Sequence, residues 1–165
     1  MLRPSFDPNV AAHNQTVFPA LVKRTPAGMK VGFTGTQHGM TTRQHQQVIE
    51  KLLGLDVSEF HHGDCIGSDA EAHAIAQSLG IRVVVHPPEN DAKRAFVALS
   101  QGTAQRHADE IRVPRPYLKR NHDIVLACKL LIATPKQHRE QRRSGTWATI
   151  RFANRNGVEV VIIEP

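Results

Sequence analysis

Cysteine is nearly missing from this chain. Its two copies, Cys65 and Cys128, stand far apart and form neither a zinc-like nor a redox-like pair. They cannot frame a disulfide scaffold, and they suit a reducing compartment. Long apolar runs are missing too. None approaches the roughly 20 residues of a membrane helix, and Met1-Leu2-Arg3-Pro4 lacks the apolar core of a signal peptide. A cytoplasmic location with no membrane partner is the expectation. Aromatic residues make up only 5% of the chain, with one tryptophan and one tyrosine. That scarcity counts against a nucleic-acid surface built mainly from stacked rings. Internal repeats and low-complexity tracts are also absent, which counts against a repeat architecture.

What is present describes a globular domain. The 165 residues are 40% hydrophobic and 22% charged, enough for one buried core. Bases outnumber acids, giving a net charge of +6 and a pI near 9.8. Arg112, Arg115, Lys119, Arg120, Lys129, Lys136, Arg139, Arg142, Arg143, Arg151 and Arg155 crowd the C-terminal third. Such a balance favours anionic partners, namely nucleotides or nucleic acid.

Residues 1–29 read as an irregular arm, interrupted by Pro4, Pro8, Pro19 and Pro26. Residues 30–165 read as a single domain in which strands and helices alternate. Strands are expected at Lys30–Thr34, around Phe60, at Ile81–Val85, Glu110–Val113, Leu130–Ala133 and Val158–Ile163. Helices are expected after Thr41 or Thr42 (with Val48, Ile49, Leu52 and Leu53 inward), at Ala70–Leu79, Asp91–Leu99, Tyr117–Cys128 and Gly145–Asn154. Continuous aliphatics such as Ile81–Val85 suit strands covered on both faces. The alternation predicts an α/β fold: Rossmann-like and doubly wound, with a mostly parallel sheet and helices on both faces. Ligands of such sheets bind beyond the carboxyl ends of the strands, where strand order reverses.

The loops at those ends carry the small residues. Gly35, Thr36 and Gln37 follow the first strand. Gly63, Asp64, Gly67 and Asp69 form a turn into a helix, where glycine admits a ligand to the backbone and Asp69 can cap the helix or accept from a sugar hydroxyl. Ser144, Gly145 and Thr146 open the last helix, where amides, hydroxyls and the positive end of the dipole favour an anion. Arg120 suits a phosphate, with Asn121 beside it. Ten histidines invite a metal reading, but no pair has helix or knuckle spacing, so neither metal nor cofactor is expected. Cys65 reads as a small buried residue, His73 as a core histidine and Trp147 as core.

These blocks resemble the SLOG superfamily, the Rossmann-like group that joins the DprA/Smf proteins and the LOG proteins. Gly32-Phe33-Thr34-Gly35-Thr36 is similar to its first strand and loop. Gly63, Gly67, Asp69, Ala72 and His73 follow the DprA pattern, as do Arg120-Asn121 with Ile124 and Arg143-Ser144-Gly145-Thr146. The resemblance covers residues 30–165 and points to a stand-alone DprA-like member. It implies a nucleotide-type small molecule as ligand, with single-stranded nucleic acid and N-glycosidic hydrolysis as alternatives. Family members often dimerise, so a homo-oligomer is a further expectation. Thr149 stands where the LOG proteins carry a catalytic glutamate, and Arg142 and Arg143 replace their leading glycines. Binding without chemistry is therefore favoured over hydrolysis.

Overall fold

The computed structural model describes residues 27–97 and 108–165. The expected arm lies almost wholly outside them, as does the end of the helix expected over 91–99. Six strands form one sheet: β1 (Met29–Gly35), β2 (Val57–His62), β3 (Arg82–Val85), β4 (Glu110–Ile111), β5 (Leu130–Thr134) and β6 (Glu159–Ile162). Their order is β4-β3-β2-β1-β5-β6, and every pair is parallel. Four helices complete the fold: α1 (Thr42–Leu53), α2 (Ser68–Ser78), α3 (Tyr117–Ala127) and α4 (Gly145–Arg155).

Alternate residues of each strand point to opposite faces, and each face is buried differently. Val31, Phe33, Phe60, Val83, Val85 and Ile132 share a core with Val48 and Leu52 of α1 and Ala72, Ile75 and Ala76 of α2. Leu131 and Ala133 pack the other way, against Val125 of α3 and Ala153, Trp147 and Ile150 of α4. The sheet is thus doubly wound, with α1 and α2 on one face and α3 and α4 on the other.

The order in which strands are added reverses at β1. Strands β2, β3 and β4 step outward on one side, and β5 and β6 on the other. The loops after β1 and β5 therefore diverge and leave a crevice at the strand ends.

Local chemistry fixes the elements that flank it. Thr41 caps α1: its hydroxyl accepts from the Gln44 amide at 3.1 Å, and Gln44 Oε1 accepts from the Thr41 amide at 3.0 Å. The two reciprocal bonds satisfy donors that the helix start leaves open. Gln44 Nε2 also donates to the Pro135 and Ile163 carbonyls, both at 2.9 Å, which ties α1 to the segments that leave β5 and β6.

Three expectations need correction. Leu53 is exposed rather than inward, because the helix turns its last residue past the core. Helix α2 starts at Ser68, before Ala70, since Gly67 already reverses the chain. The stretch from Asp91 opens with a 3-10 turn, Asp91–Lys93, and the expected helix is broken there: Arg94 is extended and Phe96 has φ +55°. Its chain is drawn inward by Asp64: the Asp64 carbonyl accepts from the Ala95 amide at 2.7 Å, and its carboxylate accepts from the Val97 amide at 3.1 Å.

Candidate functional site

A cavity of about 380 Å³ opens at the crevice between β1 and β5. Gly35, Thr36, Gln37 and His38 form one wall, leaving β1. Ser144, Gly145 and Thr146 form another, at the start of α4. Cys65 and Tyr117 lie between them. Lys93, Lys136 and Arg143 supply three cations, and no aspartate or glutamate lines the cavity among the described residues.

The wall at α4 is held in place by hydrogen bonds. Ser144 Oγ accepts from the Trp147 amide at 3.3 Å, capping the helix. Thr146 Oγ1 donates to the Gly35 carbonyl at 2.9 Å, which clamps the helix start to the end of β1. Gly145 and Thr146 carry the first helical amides, the donors that a helix start leaves without intrahelical partners. Their dipoles favour negative charge in front of them. Tyr117 packs against Gly145, where an added Cβ would lie 3.1 Å from the ring and from its hydroxyl.

Behind Cys65 sits a buried guanidinium. Arg120 is only 3% exposed. Its Nη1 fills the space a side chain at Gly63 would need, and its Nη2 donates to Cys65 Sγ at 3.3 Å. The Tyr117 ring covers it, 4.7 Å from Cζ to the centroid. Asp69 stands 3.9 Å from Nη1. Burial pushes the Asp69 carboxyl up to about 6, against the opposing pull of Arg120. Burial likewise raises the Cys65 thiol, so Cys65 is protonated at neutral pH and its sulfur is a poor nucleophile.

No protein-family model and no curated protein matches the chain. Solved structures do match. The chain shares its fold with DNA processing protein A. The Streptococcus pneumoniae protein superposes with a TM-score of 0.58 at 18% identity, over 81% of this chain and 50% of that one. The Helicobacter pylori protein, described for its single-stranded DNA binding mode, gives 0.55 at 17% identity, over 81% of this chain and 64% of that one. A molybdenum cofactor binding protein from Rippkaea orientalis gives 0.60 at 17% identity, over 83% and 77%. This chain thus spans half of the pneumococcal DNA processing protein A. At these identities the likeness is one of fold.

Within that shared fold, the residues singled out from sequence divide into two groups. Gly35, Thr36, Gln37, Ser144, Gly145 and Thr146 meet at the cavity. The turn of Gly63, Asp64, Gly67 and Asp69 lies behind it, and the protein itself fills the space that its glycines open. Gly67 has φ +80°, and an added Cβ would sit 2.4 Å from the Gln37 carbonyl oxygen. It lets the loop after β2 lie directly on the loop after β1. The Ser68 amide donates to the Thr36 carbonyl at 3.0 Å, and Glu71 Oε2 accepts from the Met40 amide at 2.7 Å. Asp69 does not cap α2. Its Oδ2 turns back to accept from the Gly63 amide at 3.0 Å and the Cys65 amide at 3.3 Å. Asp64 pairs with Arg94 at 2.6 Å. Asn121 bridges helices instead of facing the cavity: its Nδ2 donates to Thr149 Oγ1 at 3.0 Å, which in turn donates to the Gly145 carbonyl.

Sequence reasoning missed Lys93, Lys136, Arg143 and Tyr117 as lining residues. Lysine and arginine in polar loops carry no local mark of where they point. It also missed the coupling of the histidines. The Asp64 amide donates to His62 Nδ1 at 3.1 Å, so the ring proton lies on Nε2 and is donated to His73 Nδ1 at 2.9 Å. On the opposite face of the sheet, His61 Nε2 meets Glu59 at 3.0 Å and its Nδ1 meets His86 Nε2 at 2.9 Å. Burial lowers the pKa of all four rings, that of His86 to about 3. Among the described residues, no group of three or more histidine, cysteine, aspartate or glutamate side chains is placed to hold a metal, and no helix is long and apolar enough to cross a membrane.

Proposed function

We propose that this chain binds the phosphate of a nucleotide unit in the cavity between β1 and β5, and that the unit belongs to a single strand of nucleic acid. One observation carries the reading: three cations and the opening amides of α4 surround a cavity that, among the described residues, no carboxylate lines. A low-dielectric crevice of one sign concentrates counter-charge. The fold neighbours described as DNA processing protein A, one of them for single-stranded DNA, favour the polymeric form of the ligand. A free nucleotide is the second reading. It is favoured by the volume, about 380 Å³, which suits one nucleotide better than several. Hydrolysis of such a ligand is not proposed. Thr149 is buried and donates its hydroxyl to the Gly145 carbonyl, so it offers neither a nucleophile nor a general base to the cavity.

The test is fluorescence anisotropy with a labelled oligothymidylate, competed by thymidine monophosphate. The double variant Lys136→Gln/Arg143→Gln should bind the oligonucleotide about 10-fold more weakly. Its salt dependence should flatten, since each lost phosphate contact on a single strand removes about 0.7 from the slope of log K against log salt. Unchanged affinity and slope in that variant would sink the assignment. Equal occupancy by the mononucleotide at matched concentration would transfer it to the second reading.

A further inference from the structure

The ring of Tyr117 belongs to two features at once. It lines the cavity, and it belongs to a nine-residue crest, 111–119, that runs from the end of β4 into the first turn of α3. Every residue of that crest is exposed. Among the described residues, half of the large apolar side chains left in solvent lie on it: Ile111, Val113, Tyr117 and Leu118. Val113 is 79% exposed, an unusual position for a valine without a partner. Between these side chains stand Arg112, Arg115 and Lys119, and the crest itself has no acid.

We infer that the strand held at the cavity continues along this crest, with Arg112 and Arg115 on its phosphates and Val113, Tyr117 and Leu118 against its bases. The inference rests on the cavity binding nucleotide phosphate, and it adds the polymer's path. Charge complementarity and continuity with the cavity select the occupant. Apolar side chains alternating with cations match a chain whose flat bases alternate with phosphates. The crest is also stiff. Pro114 and Pro116 limit its backbone, and Pro116 sits at φ −51°, ψ 140°, an extended conformation. Glu89 bonds it from below, its amide donating to the Arg115 carbonyl at 3.0 Å. A prefixed surface loses little entropy when a flexible strand settles on it. Arg112 leans on Glu110 at 2.9 Å and Arg115 on Asp123 at 3.5 Å. Both guanidinium groups remain more than half exposed, and exposed pairs of this kind are weak enough for a phosphate to displace.

Oligothymidylates of 4, 8 and 16 nucleotides, and thymidine monophosphate, measured by competition at two salt concentrations, test the path. Affinity should rise with length beyond the single unit that the cavity holds. The double variant Arg112→Gln/Arg115→Gln should weaken the 16-mer about 10-fold and lower its salt slope by roughly 1.4, while leaving the monophosphate unchanged. A Val113→Asp variant, placed on a side chain that is 79% exposed and outside the buried core, should weaken the 16-mer in the same way. Monophosphate binding without length dependence, or a 16-mer indifferent to both variants, overturns the crest and leaves the cavity standing. Binding of neither ligand removes cavity and crest together. Displacement of the 16-mer by polyglutamate as readily as by oligothymidylate overturns the choice of nucleic acid over an acidic protein.

Discussion

A single guanidinium decides why Gly63 is a glycine. Arg120 Nη1 occupies the position of a Cβ there, with Asp69 alongside. Gly63→Ala should therefore destabilise the domain by about 1–3 kcal/mol, as overpacking does. In a double-mutant cycle with Arg120→Ala, read by denaturant titration, the two effects should fall short of additive, because removing Arg120 clears the space. Full additivity would show that the two residues do not compete for it. The same site shows what the sequence can and cannot display. The two glycines and the aspartate were legible as a special turn. Their use was not, because a glycine reports only that something approaches, and here the visitors are Arg120 and the Gln37–Gly39 backbone.

Elements were more legible than contacts. Thr41 and Gly54 mark the ends of α1 by short-range chemistry, and the structure has a cap at each. Helix α3 begins after Pro116 as its position demands. Gln44 is different. Its neighbours in sequence explain its bond to Thr41, but its bonds to Pro135 and Ile163 cross most of the chain, and no local pattern encodes them. Gln44→Leu should leave two buried carbonyls without a donor and cost about 2–4 kcal/mol. Thr41→Ala, which removes only the cap, should cost about 1 kcal/mol. Comparing the two by thermal or denaturant unfolding separates the long-range role from the local one; equal losses would reduce Gln44 to its share in the capping box.

For the molecule as a whole, the alternation of strands and helices was enough to predict the doubly wound sheet, and the reversal at β1 places the crevice. The side chains that give the crevice its sign come from polar loops, whose direction depends on the finished fold. The buried histidines set the response to acid. His61, His62, His73 and His86 are held neutral, with folded pKa values below the unfolded value of about 6.5. The unfolded chain therefore binds more protons below that pH, and stability should fall as pH drops through about 6.5 toward 5. Asp69 acts in the opposite sense. Its raised pKa, about 6, means its contribution shrinks as pH rises from about 4 through 6. Four rings outweigh one carboxyl, so the urea midpoint should be lower at pH 5.5 than at pH 8. A flat or rising midpoint on acidification would contradict the neutral pairing of these rings.

In the proposed complex an anion sits before the opening amides of α4. Backbone amide resonances of the ¹⁵N-labelled protein, followed while thymidine monophosphate is added, test this most directly. The largest shifts should fall on Gly145, Thr146 and Thr36, with smaller ones on Gln37 and Cys65, and should need about 10-fold more nucleotide in the Lys136→Gln/Arg143→Gln variant. Shifts confined to other edges of the sheet, or none at concentrations that saturate nucleotide sites, would contradict it.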